Sequence, residues 1–256
     1  ISLALQENSY APWTFDKAME LIKNAERLSP ASIYKNHEAN ILFSQKKYIE
    51  AYSTFQSLLE NKDINKAEIY YSSARCKQAL QAPKEEILAL LDSAISHVDT
   101  LSVTSSAPYF LMRGQYYDEM QKYKEAVIDY TRYLIIMQYK VNDNFYYLIF
   151  LAANKGIMDP QALSDITSCI AINPKEPLYP AEKAQLELKL GKFKEAEASA
   201  NYCIQINPEG YTGYTLLALI QAKSGNKTEA HKTMQKAKEL GYKVKMDTNG
   251  LLPDRL

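Results

Sequence analysis

Residues 169–174 read Cys-Ile-Ala-Ile-Asn-Pro, and residues 203–208 read Cys-Ile-Gln-Ile-Asn-Pro. Five of the six positions agree at an offset of 34 residues. The same offset links Gly191 to Gly225, Glu195 to Glu229 and Ala196 to Ala230. A fixed period of this length is the mark of stacked repeats, in which each helix–turn–helix unit buries its apolar face against its neighbours. Asn-Pro stops a helix, because the residue before proline is pushed out of the helical region. Cys169 and Cys203 stand where other units carry Ala25 and Ala237. The phrase therefore reads as a packing seam followed by a helix stop.

The composition agrees with that reading. The chain has 256 residues, with Lys+Arg and Asp+Glu both at 30. Without a basic excess, the phosphate neutralisation behind nucleic-acid binding has no source, and that class is disfavoured. Only 8 glycines are present, which suits helices better than many tight hairpins. The three cysteines, Cys76, Cys169 and Cys203, are odd in number and lack Cys-x-x-Cys spacing, so neither a disulfide framework nor a zinc site is indicated. No apolar run reaches the ~18 residues of a membrane span, and Phe145 to Ala153 is too short. The chain begins with Ile, so a signal peptide or lipid anchor removed earlier would leave no trace in it.

Taken in order, residues 1–30 read as a partial unit. Asp16 is placed to cap a helix over Lys17 to Leu28, and Ile1 to Glu7 to end a preceding one. Full units follow at 32–65, 67–100, 107–140, 143–176, 177–210 and 211–244, with a tail at 245–256. The second unit fits least well. Ile87 or Glu86 falls where the others place Ala, and Ala94 fits only with one extra residue in the turn Gln81-Ala82-Pro83. Thr100 to Ser106 is a polar joint. Asp159-Pro160 reads as an N-cap followed by proline at the first helical position. Lys223 to Lys245 carries seven lysines, the solvated face expected of a terminal helix.

These positions resemble the tetratricopeptide repeat. Its fourth-position aromatic corresponds to Tyr70, Phe110, Tyr146 and Tyr214. Its small eighth residue corresponds to Ala39, Ala74, Gly114, Ala184 and Ala218. Its later aromatic corresponds to Tyr48, Tyr123 and Phe193. Its twentieth-position alanine corresponds to Ala18, Ala51, Ala126, Ala162, Ala196 and Ala230. Pro174 and Pro208 close two units; Lys35, Ile87, Phe150 and Pro180 depart from the pattern. The resemblance implies an all-α fold, a right-handed superhelical solenoid of antiparallel helix pairs. It also implies a concave groove lined by the first helix of each pair. The groove candidates are Asn36, Asn40 and Phe43; Tyr71, Arg75 and Gln78; Leu111, Gln115 and Asp118; and Tyr147, Leu151 and Asn154, with Gln185 and Thr215 extending the line. The family's carboxylate-clamp subtype is not expected, because its places hold Asn36, Asn40, Ser72, Pro108 and Met112, of which only Asn40 fits.

No catalytic constellation is present. His37, His97 and His231 lie in three different units, and His37-Glu38 lacks the second histidine of a zinc-protease helix because Ile41 stands there. There is no phosphate-cradling glycine loop, and Glu85-Glu86 sit at a helix start, where negative charge suits the dipole. No enzyme, cofactor or metal is expected. Asn226-Lys227-Thr228 matches a glycosylation triplet in an exposed turn.

Tyrosine is abundant, at 20 residues. Tyr48, Tyr117, Tyr123 and Tyr130 read as repeat core. Tyr70-Tyr71, Tyr116-Tyr117 and Tyr146-Tyr147 are doublets on consecutive first helices. Neighbours on a helix point about 100° apart, so one member can enter the core while the other faces the groove. Tyrosine offers a rigid ring with a polar tip, which suits binding surfaces. A partly aromatic groove over residues 67–154 requires Tyr71 and Tyr147 not to be buried between helices. The expectation is a non-enzymatic scaffold for a peptide or helix of a partner protein. The alternatives are an assembly element using its convex face or self-association, and an accessory part of a larger complex. Lys, Asn, Tyr and Ile usage is similar to that of envelope repeat proteins of Bacteroidetes-type bacteria. That points to the periplasm or cell envelope, with the cytoplasm as the alternative.

Overall fold

A computed structural model describes residues 13–28, 31–99, 103–137 and 142–243. Among the described residues the fold is an all-α helical repeat without strands. The helices are α1 (Trp13–Leu28), α2 (Ser32–Ser44), α3 (Tyr48–Leu58), α4 (Lys66–Ala79), α5 (Lys84–Ser96), α6 (Ala107–Glu119) and α7 (Tyr123–Ile136). They continue as α8 (Asp143–Lys155), α9 (Asp159–Ile172), α10 (Leu178–Lys189), α11 (Phe193–Ile206), α12 (Tyr211–Lys223) and α13 (Lys227–Glu239). Even-numbered helices are the first of each pair. The expected preceding helix at Ile1 to Glu7 and the tail at 245–256 lie outside the described residues. Of the polar joint, Val103–Ser106 forms a 3₁₀ turn and residues 100–102 lie outside the described residues.

Two expected helix starts differ. α1 begins at Trp13, so Asp16 sits in its first turn and opposes the exposed N–H groups there rather than capping them. Asp159 is the first residue of α9 and Met158 holds the cap position, which moves Pro160 one place further in, still where no intrahelical N–H partner is needed. Pro180 is accommodated for the same reason, as the third residue of α10.

The turns inside the pairs share one device. Lys46, Gln81, Gln121, Ile157, Gly191 and Gly225 all have positive φ, between 55° and 94°, and Gly241 after α13 repeats it at 96°. The next N–H then bonds back across the turn: Lys47 to the Leu42 carbonyl, Ala82 to Lys77, Met158 to Ala153, Lys192 to Glu187 and Asn226 to Gln221, at 2.8–3.0 Å. This is the left-handed closure that satisfies the last carbonyls of a helix. After Gln81 the helix restarts one residue later than elsewhere. Ile87 therefore takes the place of the usual alanine and Ala94 that of Cys169, and both are buried.

The chain divides into two compact units. Unit 1 comprises residues 1–121 with 135–137, and unit 2 residues 122–134 with 138–256. In unit 1, Ala39, Ala51, Phe55, Leu58, Ile69 and Cys76 form one cluster; Ala74, Ile87, Leu91, Met112 and Tyr116 form another. In unit 2, Ala184, Ala196, Ala200, Cys203, Leu217 and Ile220 pack together. Of the tyrosines read as core, Tyr130 is buried, while Tyr48, Tyr117 and Tyr123 are half-buried. Phe150, one of the departures, is fully buried.

Candidate functional site

The first helices of unit 1 carry nine of the groove candidates. On α2, the Asn40 amide donates to the Asn36 carbonyl at 2.8 Å and to the Asn36 side-chain oxygen at 3.3 Å, so this pair is engaged within its own helix. Phe43 meets the Tyr48 ring edge-on at 5.2 Å, and the Arg75 guanidinium of α4 lies 4.6 Å from the Phe43 ring centre. Arg75 is exposed, as are Gln78 and Gln115. Gln78 is also bonded to Tyr116, whose hydroxyl pKa is raised chiefly by burial. Leu111 and Asp118 on α6 are half-buried.

Unit 2 carries Tyr147, Leu151 and Asn154 on α8, all half-buried. Gln185 on α10 is exposed and Thr215 on α12 half-buried, its hydroxyl donating to the Thr212 carbonyl at 2.8 Å.

The two candidate tyrosines are half-buried for a reason the repeat register explains. Tyr71 lies ten residues before its turn residue Gln81, and Tyr147 ten before Ile157. Tyr71 packs on Tyr109 of the next first helix, with ring centres 4.5 Å apart. Tyr147 packs on Tyr179 of the next first helix at 5.5 Å, and on Phe150 at 5.6 Å. One aromatic wedge thus recurs between successive repeats, once in each unit. Burial raises the pKa of Tyr71 and of Tyr147; burial also raises that of Glu182, which accepts a hydrogen bond from the Tyr147 hydroxyl.

The hexapeptide lies under the second wedge. The Cys169 thiol donates to the Asp143 carbonyl at 3.5 Å, and the Cys203 thiol to the Pro177 carbonyl at 3.4 Å, an equivalent bond one repeat later. Burial pushes the Cys169 thiol up to about 12 and raises Cys203 as well, so neither thiol is a nucleophile near neutral pH. The Asp143 carboxylate accepts from the Tyr179 hydroxyl at 2.6 Å and from the Asn173 amide at 3.0 Å. Those two bonds lower its pKa.

One repeat later the corresponding junction is open. A cavity of about 240 Å³ lies between the starts of α10 and α12 and the end of α11. Pro177, Leu178, Ala181 and Cys203 line it together with the polar Glu176, Asn207 and Thr212 and the glycines Gly210 and Gly213. No groove candidate borders it. The signal that would have found it is the 34-residue alignment of Tyr147 with Ala181 and Tyr179 with Gly213.

A second contrast lies between the helices of a pair. Ser199 donates to Glu187 at 2.7 Å, and Thr233 to Gln221 at 2.8 Å. The same places one repeat before Glu187 and Ser199 hold Ala153 and Asp165. Asp165 is only 4% exposed; one carboxylate oxygen accepts from Gln161 at 2.9 Å and the other has no hydrogen-bond partner. Burial pushes this carboxyl up to about 6.

Among the described residues, no group of three His, Cys, Asp or Glu side chains is placed to hold a metal ion, and no helix is long and apolar enough to cross a membrane.

No family model matches the chain, and the comparison with curated proteins yields no match. Solved structures do match. The C-terminal part of a TPR repeat-containing protein from Cytophaga hutchinsonii superposes with a TM-score of 0.57 at 20% identity, covering 80% of this chain and 78% of that one. YrrB, described as a TPR protein with an unusual peptide-binding site, gives 0.54 at 19%, covering 73% of this chain and 91% of its own. MamA gives 0.55 at 16%, covering 69% and 92%. The fold is therefore that of a helical-repeat protein. In particular, it is the tetratricopeptide-repeat fold.

Proposed function

We propose that this chain is a non-enzymatic interaction scaffold that holds a peptide or helix of a partner protein against the exposed faces of its first helices. Arg75 carries this reading. It is exposed on α4, and its guanidinium is seated on the Phe43 ring of α2. Such stacking costs little solvation and leaves the N–H fork free for a carboxylate or a backbone carbonyl. Gln115 on the next first helix is open and can donate to or accept from the amides of an extended chain. The peptide-binding site described for YrrB supports the class of ligand, though not its place on this chain.

Peptides selected from a display library against the wild-type chain provide the test. Arg75→Ala combined with Gln115→Ala changes two exposed residues, so folding is expected to persist by circular dichroism. Affinity is expected to fall at least about tenfold, the loss typical of removing an arginine anchor. Unchanged affinity contradicts the reading.

A further inference from the structure

We propose that the cavity between α10, α11 and α12 is a receptor for one phenolic side chain of a partner polypeptide. This rests on the scaffold reading for the source of that side chain, and on the chain's own repeat for its chemistry.

The preceding junction supplies the template. Shifting six of the lining residues back by 34 positions turns Ala181 into Tyr147, Gly213 into Tyr179, Pro177 into Asp143 and Leu178 into Asn144. Asn207 and Cys203 become Asn173 and Cys169, which are unchanged in type. In the earlier junction the two tyrosine rings meet at 5.5 Å, and the Tyr179 hydroxyl and Asn173 amide converge on Asp143. In the later one both rings are absent, and α12 sits closer to α11 than α10 does to α9, since no Cβ fits at Gly213 beside Ile204. The Cys203 thiol still bonds the Pro177 carbonyl, and α11 still ends at an Asn-Pro.

Three observations give the occupant its class. The volume, about 240 Å³, falls below the ~300–1,000 Å³ of small-molecule pockets and suits a single side chain. The rim has changed from Asp143 and Asn144 to Pro177 and Leu178, and Leu178 is 43% exposed. An apolar wall of Pro177, Leu178, Ala181 and Cys203 beside the polar Glu176, Asn207 and Thr212 suits a ring that carries a hydroxyl. Asn207 retains its amide but has lost the carboxylate that Asn173 bonds, so a donor and an acceptor stand ready for a hydroxyl. The chain cannot refill the space from Gly213. A Cβ there would lie 2.7 Å from Ile204 Cγ1 and 3.0 Å from the Ile204 backbone nitrogen.

The probe is p-cresol, the side chain of tyrosine, with N-acetylleucinamide as the aliphatic comparison, titrated into the full chain and followed by amide chemical shifts. The expected result is saturable, millimolar binding of p-cresol. The shifts should be confined to amides lining the cavity, including those of Ala181, Asn207, Thr212 and Gly213, with little response around Asp143 and Tyr179. Ala181→Tyr, which returns a ring to this junction, is expected to abolish those shifts. The wild-type map stands by itself if that variant does not fold. Absence of cavity shifts overturns the proposal, and so does an equal response to N-acetylleucinamide. Cavity shifts with peptide affinity indifferent to Arg75 would sink the scaffold reading alone. Peptide affinity sensitive to Arg75 without cavity shifts would sink this inference alone.

Discussion

Repeats 143–176 and 177–210 share a hexapeptide and a backbone plan, yet they distribute good and poor chemistry in opposite ways. The first has a filled junction with the next repeat, built by Tyr147, Tyr179 and Asp143. Inside its own helix pair it carries a left-handed isoleucine at Ile157 and a buried, half-satisfied Asp165. The second has Gly191 in the turn and Ser199 bonded to Glu187, so its pair is well made. Its junction with the following repeat is hollow. A recurrent fold thus does not make its units equal. Stability within a pair and stability between pairs are set by different residues, and the two vary independently from repeat to repeat.

That comparison can be broken at four places. Tyr179→Ala removes a ring that is only 4% exposed and strips Asp143 of its phenol partner. It is expected to cost about 3–5 kcal/mol in urea denaturation, the range for emptying a large aromatic site. A loss under about 1 kcal/mol would mean the filled junction is no better than the hollow one. Gly213→Ala acts on the hollow side, where the added Cβ meets Ile204 at 2.7 Å. A loss of about 1–3 kcal/mol is expected from overpacking, measured the same way.

Asp165→Asn tests the flaw inside the first pair. Burial raises this carboxyl to about 6, so the folded state binds its proton more tightly than the unfolded state. Its charge therefore penalises folding above about pH 6, and the penalty disappears as pH falls towards the unfolded value of ~3.9. The variant is expected to unfold about 2–4 °C higher at pH 7.5 and to show no gain near pH 4. A gain independent of pH would assign the effect to packing instead. Ile157→Gly should give the smallest change, a stabilisation of about 1 kcal/mol, because a branched side chain at φ 56° and 73% exposure contributes strain and little packing.

Much of the fold was legible because repeats state their packing positions several times over. Ala51, Ala126, Ala162, Ala196 and Ala230 recur where helices of a pair approach, and all are buried. The extra turn residue before α5 was legible from Ala94 alone. The first turn of α1 was not, because nothing in Trp13 to Phe15 announces a start, and Asp16 suits a first turn as well as a cap. The groove was less legible than the fold. Tyr71 and Tyr147 pack onto the next repeat, and the angle between successive first helices is not encoded in a period within one repeat. Asn40 was a plausible ligand donor by type, but its amide reaches the carbonyl four residues back on its own helix. The cavity needed no new rule. It needed the 34-residue alignment applied to residues that differ, Tyr147 against Ala181 and Tyr179 against Gly213, rather than to those that agree.

The central claim is that the cavity beside Gly213 is the vacated place of an aromatic ring. A crystal structure of the Ala181→Tyr variant tests it most directly. The account predicts that the introduced ring lies in the cavity against Gly213 and fills it, with α10, α11 and α12 unmoved. A ring turned out to solvent, with the cavity of about 240 Å³ still open, would contradict it.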